Sequence, residues 1–317
     1  MGMVAEALST AGLAIAVVAV LLGGTYIAAV LDVVFTRLTM RIAVRPLAAA
    51  ALPLRRAAQL ALQRRTLTER PDAGTWALAP AVLGALAAVS LAVVPLTGTV
   101  IAVKADTGIV VFAAAMALVV VAVYLQGWSP NSPLSLVAAY RFVAEGLSYE
   151  IPFAVVLIGT ALPARSLALV PIVTSQEHLW NVVRQPLGLP IYLVTVLALG
   201  FWGPLSLPEG QDVAGGTSVE LSGVPRLLWR VAQLNVLVAV SAMGAAVFLG
   251  GWLGPWLPGG VWMALKTLFL LALLVASRQY FARVRTESFV VVAWTILTPL
   301  ALVDVFMAGI QAMVAAR

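Results

Sequence analysis

Long runs of apolar residues constrain this chain more than any other feature. Most are as long as the ~20 apolar residues that a helix needs to cross the hydrocarbon core of a bilayer, and they lack the alternation of membrane strands. The fifth run is short and has prolines on both sides. The pattern predicts an all-α, polytopic helical bundle of about eight transmembrane helices, forming a single integral membrane domain over residues 1–317. The predicted spans cover roughly residues 11–35, 76–97, 107–126, 134–162, 188–203, 229–250, 261–281 and 288–313.

The composition excludes several classes of soluble protein. Charged residues make up only 10% of the chain and hydrophobic residues 62%, whereas a soluble domain carries about 25% charged residues. The lack of cysteine excludes disulfides, thiolate metal sites and iron–sulfur ligation by this chain, and a single histidine, His178, excludes a histidine-rich metal centre. We therefore expect the chain to bind no cofactor itself. Its net charge of +6 lies in loops between spans, which does not indicate a nucleic-acid-binding protein.

Basic residues are concentrated on one side of the predicted bundle. The segment 37–75 holds eight arginines, six further arginines lie on the same side, and five Lys or Arg residues lie on the other. The first run follows no basic region and is too long for a signal peptide, so we interpret it as a retained span. The positive-inside rule then predicts a multi-pass protein of the cell (cytoplasmic) inner membrane, with the basic side in the cytoplasm and both termini outside.

The two longest connections on the basic side differ in character. In segment 37–75, the stretch PLAAAALPLRRAAQLALQRR (46–65) separates pairs of arginines by apolar residues. It predicts an amphipathic interfacial helix whose arginines meet lipid phosphates, although a positive-inside anchor alone would also explain it. The connection 203–226 is acidic, with Glu209, Asp212 and Glu220, and its glycines and prolines argue against a continuous helix.

The fourth predicted span carries charges within an apolar sequence, in the stretch YRFVAEGLSYEIPF (140–153). Arg141 and Glu145 are four residues apart and share a helix face, while Glu150 lies about 140° further round at ~100° per residue. A charge at mid-bilayer costs ~2.5–3.5 kcal/mol on insertion scales and usually faces protein or water. We therefore expect an inward, hydrated face whose carboxyl groups exchange protons. The alternative is an Arg141–Glu145 pair that neutralises itself near the cytoplasmic end.

Two aspartates are weaker candidates for the same chemistry. Asp32 lies near the cytoplasmic end of the first span and could instead reach the interface or pair with Arg37. Asp304 lies in the last span, where a polar packing contact with another helix is an equally good interpretation. Tryptophans near the span ends are interpreted as interface anchors. They are Trp76, Trp128, Trp202, Trp252 and Trp256.

Five ordered segments resemble the H subunit of NADH-quinone oxidoreductase, the respiratory complex I. The resemblance covers about residues 76–317 and follows the same order of spans. GWSPNSPLSL is similar to the family's Gly-Trp-x-x-Asn-Ser connection, and LSYEIPFAVVLIG is similar to its Ser-Tyr-Glu helix. The segments are GWSPNSPLSL (127–136), LSYEIPFAVVLIG (147–159), LPEGQDVAGGTSVELSG (207–223), FLGGW (248–252) and RQYFARVRTESF (278–289).

This resemblance implies a membrane-arm protein that shapes a quinone chamber at the junction with the peripheral arm and begins a proton-translocation path there. It implies a quinone as substrate, iron–sulfur clusters in partner subunits of the peripheral arm, other membrane-arm subunits and lipid as neighbours, and no catalysis by this chain alone. The proton path would comprise Glu145, Glu150, Glu209, Glu220 and Asp32. The chamber and docking surface would comprise Arg37, Arg41, Arg45, Arg141, Asp212, Arg278, Arg283 and Arg285.

The chain also departs from the family's pattern, and other functions stay open. The first-loop motif is absent, and Ser206, Gln211 and Gln233 stand where acidic residues are expected. The lost motif favours the equivalent subunit of a membrane-bound hydrogenase or formate hydrogenlyase, in which no quinone is required. A secondary transporter or channel would explain the buried acids, but we find no convincing internal repeat of the kind on which many transporters are built. A purely structural anchor would explain the basic face but not Glu150.

Overall fold

The computed structural model describes residues 2–314, with the side chains of residues 12–210 and 212–314. This part of the chain contains α-helices, short 3₁₀ turns and one π turn, and no strand. Seven of its helical segments are long and apolar enough to cross a membrane. The predicted all-α, polytopic membrane bundle is therefore confirmed.

The helices are numbered α1 to α13 in chain order. The π turn, Ala293–Leu297, joins the last two into one apolar segment. The first seven helices are α1 (Gly2–Thr39), α2 (Pro46–Leu62), α3 (Ala73–Ala92), α4 (Gly108–Ala117), α5 (Val119–Trp128), α6 (Pro133–Ala161) and α7 (Leu169–Thr174). The others are α8 (Asn181–Arg184), α9 (Gly188–Leu199), α10 (Gly223–Phe248), α11 (Gly259–Tyr280), α12 (Thr286–Val292) and α13 (Thr298–Val314).

The short fifth run forms α9, which has only 12 residues. At 1.5 Å per residue it is about 18 Å long, less than the ~30 Å of a bilayer core. It ends at Leu199, before the predicted limit of 203, because the chain turns directly afterwards, with Phe201 at a positive φ of 39°. Helix α9 therefore ends inside the bundle, where its last carbonyl groups must find partners.

Helix α10 forms the centre of the bundle. Of its most apolar 18-residue window, 94% is buried, against 17% for the window of α1. Small residues let its neighbours approach: a Cβ on Gly244 would lie 2.8 Å from the Tyr192 ring, and one on Gly24 of α1 would lie 2.7 Å from Val238. A helix that is apolar on all sides is buried in this way, so α10 fixes the positions of α1, α3 and α11 around it.

The acidic connection between α9 and α10 folds into four 3₁₀ turns rather than a helix, as its glycines and prolines predict. Gly216 has a φ of +56°, and a Cβ there would collide with the carbonyl of Pro208. The loop packs on the first turns of α6.

Helix α2 lies in the predicted Arg-rich segment and starts with Pro46 at its first position, where proline's fixed φ suits a helix. We call the side of the bundle that carries this segment the basic side.

Candidate functional site: a cavity on the basic side

A cavity of about 530 Å³ opens between α1, α2 and α10 on the basic side. Its lining along α1 and α2 is mainly apolar, apart from Thr25 and Arg56, whereas the end nearer the basic side carries charged groups from four separate parts of the chain. The apolar lining includes Leu22, Tyr26, Ala29, Val33, Pro53, Leu54, Ala57, Leu60 and Leu234. The polar end is formed by Asp32, Trp202, Glu209, Arg226, Arg230 and Arg278.

Trp202 organises the polar end of the cavity. Its side chain is only 2% exposed, and the guanidinium groups of Arg230 and Arg278 lie over its ring at 4.7 and 5.3 Å from the centroid. Cation–π attraction of this kind strengthens when the groups are shielded from water. The interpretation of Trp202 and Trp76 as interface anchors is wrong, because both are buried inside the bundle.

The two arginines over the Trp202 ring, Arg230 and Arg278, each also lie near a carboxylate. Arg278 donates to Asp32 of α1 at 3.2 Å, and Gln279 donates to the same carboxylate at 3.5 Å. Arg230 lies 4.0 Å from Glu209 in the acidic loop. The alternative pairing of Asp32 with Arg37 is therefore wrong, because Asp32 reaches across to α11 instead. These contacts tie α1, α10, α11 and the loop together around Trp202.

Gln233 bridges the cavity and the end of α9. Its amide oxygen accepts a hydrogen bond from Arg230 at 2.7 Å, and its amide nitrogen donates to the carbonyls of Gly200 and Phe201 at 3.4 and 3.1 Å. A side-chain amide can donate and accept at once, which an ionised carboxylate cannot do. The amide therefore satisfies carbonyl groups that α9 leaves unpaired inside the bundle.

Arg141 lies at the rim of the basic side and pairs with Asp212 of the acidic loop. This hydrogen bond lowers the pKa of Asp212 below its ordinary value. The alternative in which Arg141 neutralises Glu145 is wrong, because the loop offers a carboxylate nearer to water. Arg283 contacts the same loop, donating to the carbonyl of Glu209 at 3.2 Å.

Glu145 of α6 and Asp304 of α13 are the two fully buried carboxyl groups among the described side chains, and neither has a hydrogen-bond partner there. The side chain of Glu145 is 0% exposed, and neither of its carboxyl oxygens has a hydrogen-bond partner among the described residues. Tyr149 follows one turn later, is also fully buried, and its hydroxyl lacks a partner as well. Glu150 is only partly buried. The three charged residues of α6 thus lie in different environments. Arg141 lies at the rim of the basic side, Glu145 lies inside the bundle, and Glu150 is partly exposed at the surface of the bundle.

The remaining predicted residues lie outside the cavity. Arg41, Arg45 and Arg285 are exposed on the basic side, and Arg37 and Glu220 are partly buried. None of them lines the cavity or forms a salt bridge among residues whose side chains are described. Those residues also contain no group of three or more His, Cys, Asp or Glu side chains arranged to hold a metal ion.

Sequence reasoning misses several residues of this site. It assigns Arg230 only to the basic side, and it marks Gln233 only as a departure from the family pattern. Their spacing of three residues on α10 is the signal that could have placed them on one face. Nothing local to Trp202 predicts two arginines from different helices over its ring.

Comparison with known proteins identifies the family to which this chain belongs. The family model described as NADH dehydrogenase matches residues 3–309, well beyond the region in which motifs are recognisable. The NADH-quinone oxidoreductase H subunit 1 of Rhodopseudomonas palustris (strain HaA2) is 32% identical over 250 residues, covering 77% of this chain and 78% of the relative. The corresponding H subunit of Geobacillus kaustophilus (strain HTA426) is 33% identical over 258 residues, covering 80% and 77%. The chain therefore belongs to the H-subunit family of NADH-quinone oxidoreductase, the membrane proteins of respiratory complex I.

Proposed function

We propose that this chain is the membrane-arm subunit that receives a quinone in the cavity on its basic side and starts a proton path there. The cavity carries the proposal. Its volume lies within the ~300–1,000 Å³ of small-molecule sites, and its two ends suit the two parts of a lipid-soluble quinone. The apolar wall of α1 and α2 suits the tail, and the arginines around Trp202 suit the oxygens of the head group. The relatives it resembles are named quinone oxidoreductases.

Electrons would come from a partner subunit. The chain has no cysteine, so iron–sulfur clusters would belong to peripheral-arm proteins docked on the basic side. Arg41, Arg45 and Arg285 are exposed there, and a charged rim of this kind orients a large partner as it docks. Other membrane-arm subunits would cover the apolar faces that α1 and α13 leave exposed.

Protons would be supplied by acidic residues in two positions. Asp32 and Glu209 line the cavity, where they can exchange protons with a quinone that takes up electrons and protons together. Glu145 and Glu150 lie further along α6, inside the membrane, and Glu220 lies in the loop that covers the basic side. We assign these five residues to one path, in which cavity chemistry is coupled to the protonation of Glu145 and Glu150.

Filling the cavity tests the proposal. Ala29 of α1 lines it, so Ala29→Phe should obstruct the apolar half and raise the KM for quinone at least severalfold in the assembled complex. Ala19→Phe is the matched control, because Ala19 lies on the same helix with an exposed side chain. Both variants should assemble with their partner subunits. Unchanged quinone kinetics in Ala29→Phe would show that the quinone binds elsewhere.

A further inference from the structure

The backbone turn that follows α9 is strained and is held from several sides. Phe201 has a φ of 39°, a left-handed conformation that bulky residues rarely adopt and that is concentrated at functional sites. Its ring stacks on Trp229 of α10 at 5.7 Å between centroids and meets Phe142 of α6 edge-on at 5.6 Å. The next residue, Trp202, lies at the polar end of the cavity. The conformation of the turn therefore decides where the Trp202 ring lies.

One face of α10 holds α9 along its length. Gln233, Leu237 and Val240 follow one another at intervals of four and three residues, so they share that face. The hydroxyl of Tyr192 donates to the carbonyl of Val240 at 2.7 Å, and a Cβ on Gly200 would lie 2.8 Å from Leu237. Gln233 ends this row, and its amide nitrogen donates to both carbonyls of the turn at 3.4 and 3.1 Å. The amide thus holds the strained turn directly.

The same amide also orients Arg230, which precedes it by three residues on α10. Its oxygen accepts a hydrogen bond from Nη1 of Arg230 at 2.7 Å, and the guanidinium lies over the Trp202 ring at 4.7 Å from the centroid. A guanidinium has five N–H donors in a rigid plane. Among the described residues, Gln233 provides the one hydrogen-bond acceptor for this group, so other donors are free for a ligand in the cavity that Arg230 lines.

The chemistry of position 233 requires an amide rather than an acid. A neutral amide accepts through its oxygen and donates through its nitrogen at the same time. An ionised carboxylate of the same shape has no donor for the two carbonyls and would bind the guanidinium of Arg230 more strongly. A protonated carboxyl group could donate only one hydrogen. With an acid at this position, the arrangement of the ring and the guanidinium would depend on pH.

Another buried amide provides a comparison within the bundle. Gln176 is fully buried and lies just after α7, outside the cavity lining. It donates to two backbone carbonyls and accepts from two backbone N–H groups, so its partners are all parts of the main chain. Gln233 lies outside the lining too, but it contacts a side chain that belongs to the lining. That contact allows Gln233 to influence a ligand that it does not touch.

We propose that Gln233 is a positioning residue for the quinone head group and acts through Trp202 and Arg230. It holds the turn that presents the ring, and it orients the guanidinium so that the free N–H groups donate to a quinone oxygen. Because a side-chain amide does not titrate, this contribution to quinone binding stays the same as the pH changes. The inference rests on the proposed function, in which a quinone enters the cavity.

Two substitutions at Gln233 test this role through quinone kinetics of the assembled complex, measured on both sides of neutral pH. Gln233→Met keeps the length of the side chain but removes its hydrogen bonds, and should raise the KM for quinone about 10-fold, as the loss of one hydrogen bond to a charged group predicts. The change in kcat should be smaller. Gln233→Glu should bind quinone best in acid, where the carboxyl group still donates, and its KM relative to wild type should rise with pH. A relative KM that is constant with pH, or a wild-type KM in Gln233→Met, would overturn the role.

Gln176→Glu is the matched control, because it makes the same change in a buried amide outside the cavity. It should lower the thermal unfolding midpoint but leave the KM for quinone unchanged at every pH. A KM that rises as much in Gln176→Glu as in Gln233→Glu would show a general disturbance of the bundle and would overturn the positioning role.

The Ala29→Phe variant separates this inference from the proposed function. If Ala29→Phe raises the KM for quinone while both Gln233 variants bind it as the wild type does, the positioning role alone is overturned. If Ala29→Phe leaves quinone kinetics unchanged, the quinone cavity on which the role depends is overturned.

Discussion

The polar end of the cavity and the buried face of α6 handle charge in opposite ways. Around Trp202, Arg230 and Arg278 each meet a carboxylate and an aromatic ring. On α6, Glu145 is fully buried and has no hydrogen-bond partner among the residues that the structure describes. Paired charges hold four parts of the chain in position, whereas an unpaired buried carboxyl group is costly to retain and is usually functional inside a membrane. In the proposed function, the first region positions a quinone and the second exchanges protons.

The largest effect that separates the two regions is expected at Glu145. Glu145→Gln keeps the shape of the side chain but removes its exchangeable acid, so coupled proton translocation should fall by at least ~10²-fold while the complex still assembles. Glu150→Gln should reduce coupled proton translocation less than Glu145→Gln does, because Glu150 is only partly buried. The measurement is the proton-to-electron ratio in liposomes. A normal ratio in Glu145→Gln would remove the distinction between the two regions.

A smaller effect is expected at Arg278, in the paired region. Arg278→Gln leaves Asp32, which is 16% exposed, without its cation. The free energy of unfolding should fall by about 1 kcal/mol, which is the upper end of the range measured for solvent-exposed ion pairs. The KM for quinone should rise severalfold. Thermal unfolding and quinone kinetics of the purified complex measure the two effects. Arg285→Gln is the control, since Arg285 is exposed and outside the cavity, and an equal loss there would argue against a specific role for the Arg278 pair.

The two regions also differ in how far the sequence predicts them. The period of α6 predicts that Glu145 faces inward, because the apolar residues that share its face are spaced at three and four positions. No period predicts that Arg278 meets Asp32, since the two residues are 246 positions apart. Spacing on α6 pairs Arg141 with Glu145, four residues away, but Arg141 meets Asp212 in a loop 71 positions later. Helical spacing predicts which face is buried, whereas the partner on that face depends on how distant segments pack.

The smallest effect is expected at Asp212, where the pair lies at the surface. Asp212 is 62% exposed, so Asp212→Asn should cost only ~0.2–1 kcal/mol of stability at neutral pH. The hydrogen bond from Arg141 lowers the pKa of Asp212 on folding, so its contribution is complete above the unfolded pKa and is lost as the pH falls through the folded one. The unfolding midpoints of the wild type and Asp212→Asn should therefore converge in acid. If the unfolding midpoints of the wild type and Asp212→Asn still differ in acid, shape or packing rather than charge explains the contact between Arg141 and the loop. The rim would then be stabilised by packing, as the interior of the bundle is.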